Sequence, residues 1–220
     1  MHKLLLFALG ILLVGMDYGH AGQSEPILVR ISKDVAVAQV RHGDELVTVK
    51  RNQDVTARLS DEFSKTSRKC PPFCAQPMEA APGVITIGEM ELITFMTTKL
   101  NDHTGLLVDA RTPDWYARGT IPGSINVPYT DVIPSLGAEE IIIAEVLTLF
   151  GAKETAKGWD FSEAKDLVLW CNGPWCGQSP TAIRGLISLG YPVEKIFYYR
   201  GGMQLWRVFG LTVLPPAHQN

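Results

Sequence analysis

No long run of like charge occurs in the chain, and the formal net charge is only −3. A polybasic membrane surface or a nucleic-acid groove is therefore excluded as its organising feature. Internal repeats and low-complexity tracts are also missing. The longest apolar run near the N-terminus, residues 4–14, is shorter than the roughly 20 residues that span a bilayer. Cysteine is sparse, with four in 220 residues, and none belongs to a C-x-x-C-H haem-attachment string. The four fall into two close pairs, Cys70 with Cys74 and Cys171 with Cys176. Those spacings differ from the usual C-x-x-C zinc pairs, so neither a metal nor a cofactor is expected. His42 and His103 stand alone, and no histidine partner for a cysteine can be assigned from sequence.

What is present suffices for one sizeable core and a small appendage, since 46% of the residues are hydrophobic. Lys3, the apolar run 4–14 and the small residues of Gly19-His20-Ala21 have the layout of a secretory signal cleaved after Ala21. An uncleaved N-terminal anchor is the alternative. No cysteine follows the run, which argues against a lipid-modified N-terminus. With residues 1–21 removed, a periplasmic location with no stable membrane span is expected. In an oxidising compartment, paired cysteines tend to become disulfides unless something keeps them reduced.

Residues 22–82 read as a small, irregular, β-rich segment. Residues 27–31 suggest a strand, and residues 35–40 and 46–49 flank Arg41-His42-Gly43-Asp44 as a hairpin. The prolines of Cys70-Pro71-Pro72-Phe73-Cys74 forbid a regular helix or central strand there. Too small for much core of its own, this segment is expected to pack on the larger domain, residues 84–213; residues 214–220 form a tail. In the larger domain strands alternate with helices. Strands are expected at 84–87, 106–109, 125–128, 167–170 and 196–199. Helices are expected at 89–100, 113–118, 139–150, 180–189 and around Trp206. In the 139–150 helix, positions 142, 146, 149 and 150 are expected on the buried face. This alternation predicts an α/β domain with a mostly parallel sheet covered on both faces.

The most informative stretch runs from the apolar strand 167–170 into Cys171, then Asn172, Gly173, Pro174, Trp175, Cys176, Gly177, Gln178 and Ser179. A helix follows, with Ser179 read as its N-cap and Pro180 as its first residue. Ligands of open α/β sheets bind at the carboxyl ends of strands, which is where this order puts the Cys171 sulfur. Loop amides with a helix N-terminus behind them form an anion-binding concavity. A free thiol, with a pKa of about 8.5, is only a few per cent ionised at neutral pH. Making it about a hundredfold more acidic takes about 2.7 kcal/mol of preferential anion stabilisation. The same cradle suits a persulfide anion. A buried structural cysteine at a strand end is the plainer alternative.

These strings, taken together, resemble the rhodanese family over about residues 84–213. Leu107-Val108-Asp109-Ala110-Arg111 precedes Ile121-Pro122-Gly123-Ser124-Ile125-Asn126-Val127-Pro128. The strand, Cys171, loop and helix come next, then residues 185–191, Tyr199-Arg200-Gly201-Gly202 and Trp206. The resemblance implies a rhodanese-like five-stranded parallel sheet flanked by helices, with Cys171 carrying a transferable sulfur and Asp109 and Arg111 supporting the site. The leader and the Cys-Pro-Pro-Phe-Cys segment resemble an exported subgroup of such proteins. Two departures stand out. No cationic side chain lies between Asn172 and Ser179 to grip thiosulfate, and the loop is longer than usual, with Trp175 in it. Phosphatases of this fold close a C-x-x-x-x-x-R loop around phosphate; Gly177 occupies that last position here, which excludes that activity.

Cys176 is a candidate resolving thiol, with a structural disulfide or an idle thiol as alternatives. Cys70 and Cys74 are expected to form a disulfide. Asp109 and Arg111 read equally as a structural ion pair, Arg200 as a residue near the site mouth, and Trp206 as core. Lys65, Arg68 and Lys69 read as a solvated basic face. Three functions fit. The first is sulfur transfer or persulfide carriage through Cys171, with a small sulfur-containing donor and a thiol or protein acceptor as partners. The second is thiol–disulfide exchange through Cys171 and Cys176. The third is a non-catalytic module that docks an exported partner. The first is the reading taken forward.

Overall fold

The computed structural model describes residues 27–59 and 61–215. The expected signal segment, residues 1–21, lies outside the described residues.

The first regular elements are a hairpin, β1 (Ala38–His42) and β2 (Glu45–Val49), paired antiparallel from Ala38↔Val49 to His42↔Glu45. Its turn is confined to Gly43 and Asp44, shorter than the four residues expected, because Gly43 takes φ 60°, a left-handed conformation that glycine adopts without a Cβ penalty. The strand expected at residues 27–31 is absent. The amides of Leu28 and Val29 are instead claimed by the Gln53 side chain at 3.0 and 3.1 Å. Among the described residues before 82, one 3-10 turn, Glu62–Ser64, is the other regular piece.

The α/β domain begins with β3 (Ile85–Ile87) and α1 (Glu89–Phe95), where the Glu91 carboxylate accepts the Gly88 amide at 3.1 Å and so caps the helix. A π-type turn, Met96–Leu100, extends α1. Then come β4 (Gly105–Asp109), α2 (Pro113–Tyr116), β5 (Ser124–Asn126) and α3 (Glu140–Leu149). A small hairpin without a strong sequence signal follows, β6 (Lys153–Thr155) with β7 (Gly158–Asp160). The chain closes with β8 (Asp166–Trp170), α4 (Gln178–Ser188), β9 (Ile196–Tyr199) and α5 (Gly202–Val208).

The sheet order is β3-β9-β8-β4-β5, with every pairing parallel. Alternation along each strand divides the core between its two faces. Val108, Leu167, Leu169, Ile196 and Tyr198 face one layer with α3 and α4. Leu107, Val168, Trp170 and Tyr199 face the other with α1 and α5, joined by Val40 and Val49 of the hairpin and by Phe63. Burial on both sides is why β8 reads as an unbroken apolar run. In α3 the buried stripe is Ile143, Val146, Leu147 and Phe150, whereas Ile142 and Leu149 are exposed. The expected face was therefore turned by about one residue. The i, i+3, i+4, i+7 spacing that starts at Ile143 is the one that meets the sheet.

Candidate functional site

Strand β8 is the middle strand of five, so its carboxyl end opens at the centre of the sheet edge. Cys171 follows immediately, 2% exposed. The loop then rises through Asn172 to Cys176 and re-enters the fold as α4. Gly177 caps α4 and Gln178 starts it. Ser179 is therefore inside the first turn rather than at the cap, because its hydroxyl is committed elsewhere: it donates to Cys171 Sγ at 3.1 Å. Pro180 still falls in that first turn, where a missing N–H costs no intrahelical bond.

The loop is braced from below by α5. The amides of Met203 and Gln204 donate to the carbonyls of Cys171 and Asn172, each at 3.0 Å. This close approach depends on Gly202, at φ 55°; a Cβ there would sit 2.2 Å from the Cys171 carbonyl oxygen. Gln204 also accepts a hydrogen bond from the Trp175 indole. Sequence reading recognised the Gly201-Gly202 turn but not Met203 and Gln204 as loop supports. Two consecutive glycines at a helix start were the available signal, since they mark a backbone approach that side chains would block.

Two thiols meet in this cradle, and both are free. Burial opposes ionisation of Cys171, but hydrogen bonds from the Cys176 thiol, the Ser179 hydroxyl and the backbone of Ser179 and Gly173 outweigh it, lowering its pKa to about 7. Burial pushes the Cys176 thiol well above the usual range, and the neighbouring Cys171 sulfur adds to the effect. The pair is thus asymmetric, with Cys171 as the anion and Cys176 as a protonated donor. When Cys171 is itself protonated, its thiol has the Cys176 carbonyl as acceptor at 3.3 Å. Asn172 is buried with its amide nitrogen 3.9 Å from Cys176 Sγ, and its Oδ1 has no hydrogen-bond partner. Tyr198, on the adjacent strand β9, has a buried hydroxyl without a partner; burial and the nearby Cys171 sulfur hold its phenol above the usual range.

Asp109 and Arg111 are near the same sheet edge but are bonded to each other, not to the thiols. Arg111 grips Asp109 with Nε at 2.8 Å and a terminal nitrogen at 2.6 Å, and also donates to the Gly119 carbonyl at 2.7 Å. Thr120 gives Asp109 a further bond at 3.0 Å, and the guanidinium lies 4.6 Å from the Trp170 ring centre. This buried ion pair ties β4 to the loop before β5. Trp206 is fully buried core, its indole donating to the Thr212 carbonyl at 2.8 Å. His42 links the hairpin to Gly123 at 3.1 Å and Pro215 at 3.0 Å, and contacts neither thiol.

Residues 61–76 form one wall of the site. Cys70 and Cys74 are disulfide-bonded. The Gln76 amide donates to the Pro174 carbonyl at 2.8 Å, and Arg200 reaches the Gln76 carbonyl at 2.8 and 3.1 Å. Phe73 meets Trp175 edge-on at 5.6 Å, and the Arg68 guanidinium stacks on the Trp175 ring at 3.7 Å. Between this wall and the loop lies a cleft of about 700 Å³ whose lining includes Lys65, Arg68, Lys69, Trp175 and Cys176. The basic group expected on a solvated face is exposed at Lys65 and Lys69, and it also borders the cleft. Arg200 does not reach its mouth, being spent on the Gln76 carbonyl.

The model of the rhodanese-like domain matches residues 95–208. Among solved structures, the human single-domain sulfurtransferase TSTD1 is 24% identical, with 56% of this chain and 95% of that one covered and a TM-score of 0.38. The Saccharomyces cerevisiae single-domain sulfurtransferase RDL2 is 20% identical, covering 58% and 91% with a TM-score of 0.40. A curated relative, the HTH-type transcriptional regulator Rv0324 of Mycobacterium tuberculosis, is 28% identical over 107 residues, 49% of this chain. That match spans only 36% of the regulator's own length. The family match covers more than half of the sequence and includes the β4 strand, the Cys171 loop and α5, so the chain belongs to the rhodanese-like domain family.

Proposed function

We propose that this protein is an exported sulfurtransferase or persulfide carrier in which Cys171 is the sulfur-accepting nucleophile. The observation that carries the proposal is the Cys171 sulfur at the end of the central strand, made acidic by the Ser179 hydroxyl, the Cys176 thiol and loop amides. The thiolate attacks the outer sulfur of a donor R–S–SH, a new S–S bond forms, and R–S⁻ leaves. An acceptor thiolate then takes the terminal sulfur and regenerates the Cys171 thiolate. The donor is reduced to a thiolate as the acceptor is oxidised to a persulfide, so Cys171 is regenerated and no outside oxidant or reductant is needed. Export is supported by the signal-like N-terminus and by the Cys70–Cys74 disulfide, a bond that persists in oxidising compartments. Mass spectrometry of protein incubated with persulfide, polysulfide, mercaptopyruvate or thiosulfate is expected to show one added sulfur on Cys171 and none in Cys171→Ser. Failure to form the adduct with every donor overturns the proposal.

The contact between the two thiols favours thiol–disulfide exchange as a second reading. Cys176 would attack a Cys171 persulfide, forming the Cys171–Cys176 disulfide and releasing hydrosulfide. Its raised pKa makes Cys176 a weak attacking thiol at neutral pH, so sulfur transfer remains the first reading. Cys176→Ser separates the two, because exchange requires that sulfur and transfer does not.

A further inference from the structure

The 172–179 loop contains no cation, yet three cationic side chains border its cleft, all from residues outside the matched family region. Lys65 is paired with Glu62 at 2.7 Å, and Arg68 donates to the Glu62 carbonyl and lies close enough to help hold its carboxyl below the usual range; Lys69 has no ion-pair partner among the described residues. Arg68 is held flat on the Trp175 ring, and its Nε is buried without a hydrogen-bond partner. Phe73, Trp115, Tyr129 and Trp175 add an aromatic lining. A cleft of about 700 Å³ is in the size range that encloses organic ligands of drug size, far beyond the needs of a small inorganic anion.

This wall is fixed at both ends. Arg207 pairs with Asp61 and Gln204 donates to the Phe63 carbonyl at 3.3 Å, while Gln76 is bonded to Pro174 and Arg200. The Cys70–Cys74 bond closes the turn between Lys69 and Gln76, and the Phe73 amide donates to the Lys69 carbonyl at 3.0 Å. The cations are thus carried on an anchored segment that meets the nucleophile loop through Trp175.

We infer that residues 61–76 supply the recognition wall of the site, with Arg68, Lys69 and the Trp175–Phe73 pair selecting a sulfur donor whose organic body carries carboxylates. The inference rests on the sulfur-transfer reading for its chemistry but not for its binding. Carboxylates lie against Arg68 and Lys69, the apolar part of the ligand packs on the aromatic lining, and the sulfur end points towards Cys176, which lines the cleft while Cys171 lies buried beyond that lining. The buried Asn172 Oδ1 is an acceptor for an amide N–H of such a ligand.

The test uses an unreactive probe. S-methylglutathione has two carboxylates and peptide N–H groups but no transferable sulfur, and its diethyl ester lacks the carboxylates. Calorimetric titration of the full chain at low salt is expected to show saturable binding of the acid, at least tenfold tighter than of the ester. Lys69→Ala and Arg68→Gln should each weaken acid binding about tenfold, with Lys69→Arg restoring it. Lys69 is exposed, so its loss does not threaten folding. Equal affinity for acid and ester, unchanged affinity in both variants, or no binding at all overturns the inference. Absence of a sulfur adduct on Cys171 alongside charge-dependent binding overturns the catalytic reading and leaves the recognition wall standing.

Discussion

The Ser179 hydroxyl donates to the Cys171 sulfur across 3.1 Å, with both side chains buried. Most buried hydroxyls find a partner, and here that partner is the atom whose charge the hydroxyl also stabilises. Ser179→Ala should therefore raise the pKa of Cys171 and slow its alkylation by iodoacetamide about tenfold below pH 7, the effect of one charge-assisted hydrogen bond. The pH profile of alkylation rate is the measurement; an unmoved midpoint would remove Ser179 from the account.

Cys176→Ser and Cys176→Ala should part company. Serine preserves a donor towards Cys171, so the alkylation midpoint should stay near about 7, whereas alanine removes the donor and the midpoint should rise. Sulfur loading of Cys171 and its passage to an acceptor thiol should both persist in Cys176→Ser. Loss of turnover with the persulfide retained on Cys171 would instead point to thiol–disulfide exchange.

Stability should depend on pH through the same sulfur. The pKa of Cys171 is lowered by folding to about 7, so its contribution is fully present above the unfolded value of about 8.5 and is lost as pH falls through the folded one. Cys176 is shifted upward and acts oppositely, costing stability once pH exceeds its unfolded value. Urea unfolding of the protein relative to Cys171→Ser should show an advantage that grows between about pH 7 and pH 8.5. A difference that does not vary with pH would contradict the acidic thiol.

Arg111→Met should leave the buried Asp109 carboxylate without its bidentate partner. Breaking such a pair costs about 3–5 kcal/mol, read as a lowered denaturation midpoint. Because Arg111 contacts neither thiol, the alkylation midpoint of the remaining folded protein should hold. A selective change in Cys171 acidity without loss of stability would make Arg111 part of the site.

Gly202→Ala tests the brace beneath the loop. The added methyl cannot fit against the Cys171 carbonyl, so the Met203 and Gln204 bonds to the loop should break, with a lower melting temperature and a less acidic Cys171. Unchanged stability together with unchanged acidity would show that the brace does not matter.

Much of this was legible in the chain itself. The apolar run 167–170 ending at Cys171, followed by a glycine-containing loop and a helix start, determined the parallel sheet and the position of the sulfur, because period-two burial and strand-end topology are written locally. The same local information misplaced Ser179 at the cap and turned α3 by about one residue, since neither a hydroxyl's partner nor the facing layer is visible in a window of sequence. The chain itself assigned the anion to Cys171; only tertiary structure showed how burial is outweighed there, by donors from Gly173, Cys176 and Ser179. Tertiary structure alone placed Met203 and Gln204 under the loop and brought Lys65, Arg68 and Lys69, about a hundred residues before Cys171, to the edge of its cleft. Charge on a short irregular segment has no periodicity to reveal its destination; anchoring through Trp175, Gln76 and Arg200 sets it.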